Sequence, residues 1–182
     1  AKNTGAAATA RLTASVLSWI ATNDNHVGTS PTPIDGTGTR TDGTQRAFTE
    51  AQLKDVLQLC WTEGGSPKVI MTGGFNKQVF STFTGRSTPM EEAKSKKIVA
   101  SVDAYESDFG QLKVVPNRFQ RSRDVLVLDM SKWKINHLNG RKMVRIPLAR
   151  TGDSERRQIL SEYSLEACNE KASGGVFDLT TS

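Results

Sequence analysis

The sequence predicts an α+β fold, with helices and short strands mixed in its first half and mostly sheet in its second. Three observations carry this expectation. Thr49 and Gln52 form a capping-box pattern, after which Leu53, Val56, Leu57, Cys60 and Trp61 fall on one helical face until Gly64 and Gly65 stop it. Residues 68–72 form a short apolar run between this helix and a second helical pattern, as a buried strand would. Beyond Ile98 the apolar residues recur at every second position, the spacing of a strand with one buried face.

The elements follow in chain order. Over residues 9–22, Leu12, Val16, Trp19 and Ile20 recur at three- and four-residue spacing and predict an amphipathic helix. Residues 23–44 are Thr, Gly, Pro and Asp with only Val27 and Ile34 large and apolar, which predicts an extended, mobile loop that orders against a partner. The capping-box helix buries Leu53, Val56, Leu57 and Trp61. After the strand at 68–72, Gly73-Gly74 makes a tight strand-to-helix turn, and residues 75–83 form a helix burying Phe75, Val79, Phe80 and Phe83. Residues 85–97 are polar and read as a loop. Segments 98–109 and 111–115 form a hairpin turning at Asp108-Phe109-Gly110, with Pro116 ending its second strand. Further strands are expected at 125–129, 132–138, 143–148 and 157–168, the last with Ile159, Tyr163, Leu165 and Ala167 on one face.

A chain of 182 residues is long enough to bury a core without staples. No apolar run approaches the roughly 20 residues of a membrane helix, and the first residues lack the pattern of a signal peptide, so neither a membrane span nor secretion is expected. The chain begins at Ala1 rather than Met, with its first helical pattern starting almost at once, which suggests an upstream segment. Cys60 and Cys168 lie far apart without a CxxC partner, which points to a reducing compartment and to two small core residues rather than a metal site or a nucleophile. The net charge of +5 is uneven. Residues 1–66 are close to neutral, whereas residues 113–157 carry Lys113, Arg118, Arg121, Arg123, Lys132, Lys134, Arg141, Lys142, Arg145, Arg150, Arg156 and Arg157 against Asp124, Asp129, Asp153 and Glu155. Such a field suits nucleic acid or another acidic surface, or simply solvates a face of the sheet.

No catalytic constellation assembles. His26 and His137 have no carboxylate at metal-ligand spacing, and Gly73-Gly74 lacks the Lys-Ser/Thr of a phosphate-binding loop. Asp108-Phe109-Gly110 has none of the other kinase motifs with it. Asp103, Glu106 and Asp108 alternate across a hairpin and solvate its outer face. Trp19, Trp61 and Trp133 sit in apolar patterns and read as core. Basic and aromatic residues mix at 116–121, as they do on nucleic-acid surfaces. Taken residue by residue, the chain is a soluble, non-enzymatic α+β protein with a flexible arm and a basic sheet half.

The segments VDAYESDFG (102–110), VPNRFQR (115–121) and NEKASGGVFDL (169–179) resemble signature segments of tailed-phage major head proteins, and the run from Phe48 through Trp61 to Phe83 is similar to the same family. The resemblance implies the Hong Kong ninety-seven type capsid fold, truncated at its N-terminus. It implies that 1–24 are the end of a spine helix of the peripheral domain, 25–44 a flexible loop, 45–131 the axial domain, 132–170 peripheral strands, and 171–182 a return to the axial domain. The function it implies is a major capsid protein of a tailed phage or prophage that self-assembles into an icosahedral shell around double-stranded DNA, without catalysis, metal or cofactor. The partners implied are other copies of the chain in pentamers and hexamers, packaged DNA bound non-specifically, and scaffold, protease and portal proteins, with assembly in the host cytoplasm and no membrane. Lys113, Arg118, Arg121, Arg123, Lys132, Lys134, Arg141, Lys142 and Arg145 are then the candidate DNA-facing or inter-subunit residues. A sequence-independent nucleic-acid-binding module and an encapsulin-like cargo compartment are the alternatives.

Overall fold

The computed structural model describes residues 1–83, 104–150 and 152–182. A six-stranded mixed sheet forms the body, in the order β1 (Asp24–Asn25), β10 (Gly174–Val176), β5 (Val125–Leu128), β2 (Val69–Thr72), β4 (Gly110–Pro116) and β3 (Ala104–Ser107). The β1–β10 and β2–β4 pairs are parallel, and the other three are antiparallel. The chain's last strand thus enters the sheet between its first strand and β5.

Helix α1 (Glu50–Thr62) starts where the capping box places it: the Thr49 hydroxyl accepts from the Gln52 N–H and the Gln52 side chain accepts from the Thr49 N–H. It ends at Gly64, whose φ of +79° only glycine adopts without strain. Its apolar face packs on β10. The approach is so close that a Cβ on Gly174 would lie 2.7 Å from Val56 Cγ1, 3.1 Å from Cys60 Sγ and 2.4 Å from the Asn23 carbonyl oxygen. Helix α2 (Gly74–Phe80) follows β2 directly through the Gly73-Gly74 turn.

The sheet is covered on both faces, which explains why all four residues of β5 are buried. Val125 and Val127 join Leu53, Val56, Leu57, Cys60, Ile70 and Phe80 in the larger core cluster. Leu126 and Leu128 point the other way, into a second cluster with Ile20 and Phe177, packed against Val16, Leu17, Met71 and Trp133. The hairpin at Asp108-Phe109-Gly110 forms as expected, with Tyr105 opposite Leu112. The expected loop at 85–97, the start of that hairpin at 98–103, and Asp103 lie outside the described residues.

Five expectations are corrected. The amphipathic helix over 9–22, and with it the end of a spine helix, is not formed: α1 is the first α-helix, and only Val16–Ser18 makes a single 3₁₀ turn. Asn3 bridges Leu12 and Ala6 bridges Thr9 instead, and Leu12 stays exposed. Thr9, Thr13 and Ser15 are poor helix formers, and the Leu165 N–H donates to the Thr13 hydroxyl, a bond an extended chain can accept. The apolar spacing instead lets Val16 and Ile20 cover the back of the sheet.

Trp61 is 61% exposed, not core. Leu53, Val56, Leu57 and Cys60 fill the α1 face against the sheet, and Trp61, at its edge, lies outward against Phe109 with ring centroids 5.5 Å apart. Val79, Phe75 and Phe83 are half-buried and Phe80 is fully buried. Trp61→Ala should therefore lower the melting temperature by only a few degrees, since it removes an exposed aromatic pair worth about 1 kcal/mol. Calorimetry checks this, and a loss of about 10 °C would return Trp61 to the core.

The long strand over 157–168 is two strands, β8 (Arg157–Leu160) and β9 (Tyr163–Ala167). They pair with β7 (Val144–Pro147) and β6 (Trp133–His137), respectively. Together they form one long hairpin, bent where Gly140 and Met143 take positive φ and where the Arg141 carbonyl accepts the Glu162 N–H. Ile135, Met143, Ile159 and Tyr163 are each more than 60% exposed along it. Cys168, just past β9, is exposed rather than core, whereas Cys60 is buried.

The segment 23–44 is not a free arm, the fifth correction. Its Asp24–Asn25 strand pairs with β10, and buried polar contacts hold the rest.

Candidate functional site

The contacts holding 23–44 engage two of the expected basic residues. Asp178 follows β10 in a left-handed conformation (φ +60°) and is almost wholly buried. Its carboxylate accepts the N–H groups of Val27 (3.0 Å), Gly28 (2.8 Å) and Gly43 (2.8 Å), and pairs with Arg123 at 3.3 Å. Burial pushes its pKa up, but the N–H donors of Gly28, Gly43 and Val27 and the Arg123 charge outweigh that, and the net shift is downward. Arg123 also donates to the Gly43 carbonyl at 2.6 Å and pairs with Asp42 at 3.4 Å. Arg121 pairs with Asp42 at 2.5 Å and Asp124 at 3.3 Å. Arg40 pairs with Asp24 at 2.8 Å, donates to the Ile20 carbonyl at 2.7 Å and lies over the Phe177 ring at 3.6 Å, with 4% of its side chain exposed. Arg121 and Arg123 therefore clamp a loop to the body. Arg40, Asp24 and Asp178, the residues that do most of this clamping, are not singled out by the sequence, which marks them only as charges within or beside apolar-poor stretches.

Asp124 is buried beside this clamp, and burial pushes its carboxyl up to about 6 against the opposing pull of Arg121 and Arg40. Because the folded value lies above the ordinary one, the fold favours the protonated acid. Its contribution to stability is complete below about pH 4 and is lost as the pH rises through about 6. In Asp124→Asn the difference in melting temperature between pH 5 and pH 7.5 should shrink, as read by calorimetry on parent and variant at about those two values. An unchanged difference would show that another group sets it.

The remaining basic residues are not gathered on one surface. Lys113 is exposed on β4, and Arg118 is exposed on the loop after it, beside a 91% exposed Phe119. Lys132 is half-buried at the base of the ribbon. Lys134, Arg141, Lys142 and Arg145 are exposed on the ribbon, with Arg141 paired to Glu162 at 2.9 Å. At the ribbon tip Arg145, Arg150, Arg156 and Arg157 line a concavity of about 360 Å³ with Leu148 and Glu155.

Among the described residues no three His, Cys, Asp or Glu side chains are grouped to hold a metal ion. The Cys60 thiol, buried and pushed up to about 12 by that burial, is not a nucleophile at neutral pH. His26 bonds Asp24 at 3.0 Å, and His137 lies beside Tyr163 at the end of β6. No helix among the described residues is long and apolar enough to cross a membrane.

A sheet buried on both faces carries a long ribbon exposed along both of its sides, an architecture that leaves much surface for contact. The family model described as SU10 major capsid protein matches residues 1–180, and the chain belongs to that family: it is a phage major capsid protein, a virion component and not an enzyme. Copies of it associate to form the shell. No curated protein matches the chain.

Proposed function

We propose that this subunit builds a closed icosahedral shell of the Hong Kong ninety-seven type, through pentamers and hexamers, around double-stranded DNA. In this reading residues 45–131 and 171–182 are the axial domain and residues 132–170 the peripheral strands, with scaffold, protease and portal proteins acting on the same subunit in the host cytoplasm. The observation that supports it most is the division of the chain after β5. The strands before it and the closing β10 share one sheet, while β6 to β9 leave as a ribbon whose strands pair only with one another among the described residues, touching the N-terminal segment through Arg11 and Thr13. Such a ribbon is marginal in water and gains its stability from what it touches. Lys113, Arg118, Lys132, Lys134, Lys142 and Arg145, which form no ion pair among the described residues, are the candidate basic residues left to meet DNA or a neighbouring subunit.

Electron microscopy of the chain purified from an expressing bacterium tests the reading. Closed particles are expected, and dispersed monomers under assembly conditions would remove the shell.

A further inference from the structure

We propose that the arginine cluster at the ribbon tip is a carboxylate-binding site for a second copy of this chain, and that its ligand is the acidic β3–β4 turn of that copy. The inference rests on the self-assembly reading and adds to it a named contact.

The tip places four guanidinium groups, from Arg145, Arg150, Arg156 and Arg157, around one concavity. One carboxylate balances them: Glu155 pairs with Arg150 at 3.1 Å and Arg157 at 3.3 Å. All three of these side chains are more than half exposed, so the pairing can be exchanged for another at little loss. Arg145 and Arg156 have no ion-pair partner among the described residues. Like charges gathered this closely repel until an anion enters, and guanidinium groups match a carboxylate in two-point geometry.

The neighbourhood of the cluster selects protein over a phosphate backbone. Leu148 lines the same concavity and is 45% exposed, and Ile146 and Ile159 on the adjoining strands are exposed as well. Apolar side chains gain from a protein surface and little from phosphate. The complementary surface is present on the chain itself. Glu106 and Asp108 are exposed at the β3–β4 turn and form no ion pair among the described residues. Beside them, exposed Trp61 rests on Phe109. An arginine can pair with these carboxylates and stack on the indole in one step, the combination that dominates well-packed interfaces. The contact joins two different patches of identical subunits, so it propagates into rings or closed shells rather than stopping at a dimer.

The test is a charge swap in the full chain, followed by sedimentation velocity. Arg145→Glu with Arg156→Glu should weaken association by about tenfold or more while leaving the melting temperature unchanged, because both side chains are exposed. Adding Glu106→Lys and Asp108→Arg should restore it. Association of the parent should also weaken in about 1 M salt, where charges are screened within about 3 Å. Undiminished association of the double variant would overturn the proposal, as would failure of the swap to restore a weakened one. A variant that associates like the parent but no longer binds duplex DNA would overturn it in favour of phosphate. The parent's own particles in electron micrographs judge the shell reading independently of all these outcomes.

Discussion

Asp178→Ala is expected to destabilise the protein by about 3–5 kcal/mol and to free the segment 23–44. The substitution leaves three N–H groups, of Val27, Gly28 and Gly43, without their acceptor, and leaves Arg123 without one of its two carboxylates. It also places a β-carbon residue with no polar side chain at a φ of +60°. For a chain of this size that loss corresponds to a fall of about 6–20 °C in melting temperature. Limited proteolysis should leave 23–44 intact in the parent and cut there first in the variant. Asp178→Asn, which keeps one acceptor oxygen and tolerates the left-handed conformation, should lie between the two. The pH dependence follows the same group. Its folded pKa is depressed, so its contribution is present above its ordinary value near 4 and is lost as the pH falls through the lower folded value. Acid should therefore unfold the parent along a steeper course than Asp178→Ala. A variant that melts with the parent and resists protease at 23–44 would show that the loop is held by other contacts.

Gly174→Ala should have the second largest effect. A single methyl at this position meets the Asn23 carbonyl oxygen at 2.4 Å and Val56 Cγ1 at 2.7 Å, distances that real contacts do not reach. Val56 lies on the buried face of α1, and the Asn23 carbonyl accepts the Gly175 N–H at 3.1 Å, so neither can move without loosening the helix or the start of β1. Overpacking of this kind costs about 3 kcal/mol or more, a fall of about 6–12 °C. Gly64→Ala, at a helix end open on all sides, should lose only the smaller penalty of its positive φ. Equal melting temperatures for parent and Gly174→Ala would mean that α1 sits further from β10 than described.

What could be read from the sequence was local. The capping box of Thr49 and Gln52, the stop at Gly64, the turn at Gly73-Gly74 and the hairpin at Asp108-Phe109-Gly110 depend on residues a few positions apart, and all formed as expected. The family was legible as well, because the segments that resemble head proteins need no fold to be recognised. The candidate site was legible only as composition. A count of basic residues over 113–157 does not separate Arg123, held by Asp178, from Arg145, exposed on the ribbon.

Residue order alone sets the strand and helix periods, the α+β class and the basic bias of the second half. Which apolar residues become core depends on the packing of elements far apart in the chain. Leu12, Val16, Trp19 and Ile20 have helical spacing, yet helix propensity in a Thr- and Ser-rich stretch is weak, and the back of the sheet offered Ile20 and Val16 more burial in an irregular chain. Trp61 shares its spacing with Leu57 and Cys60, but the room beneath α1 was already filled by β10, and only the partner element reveals that. The loop 23–44 has too little apolar surface to hold itself down. It is anchored by Asp178, more than 130 residues away in the chain, through bonds whose direction and burial exist only once β10 has entered the sheet.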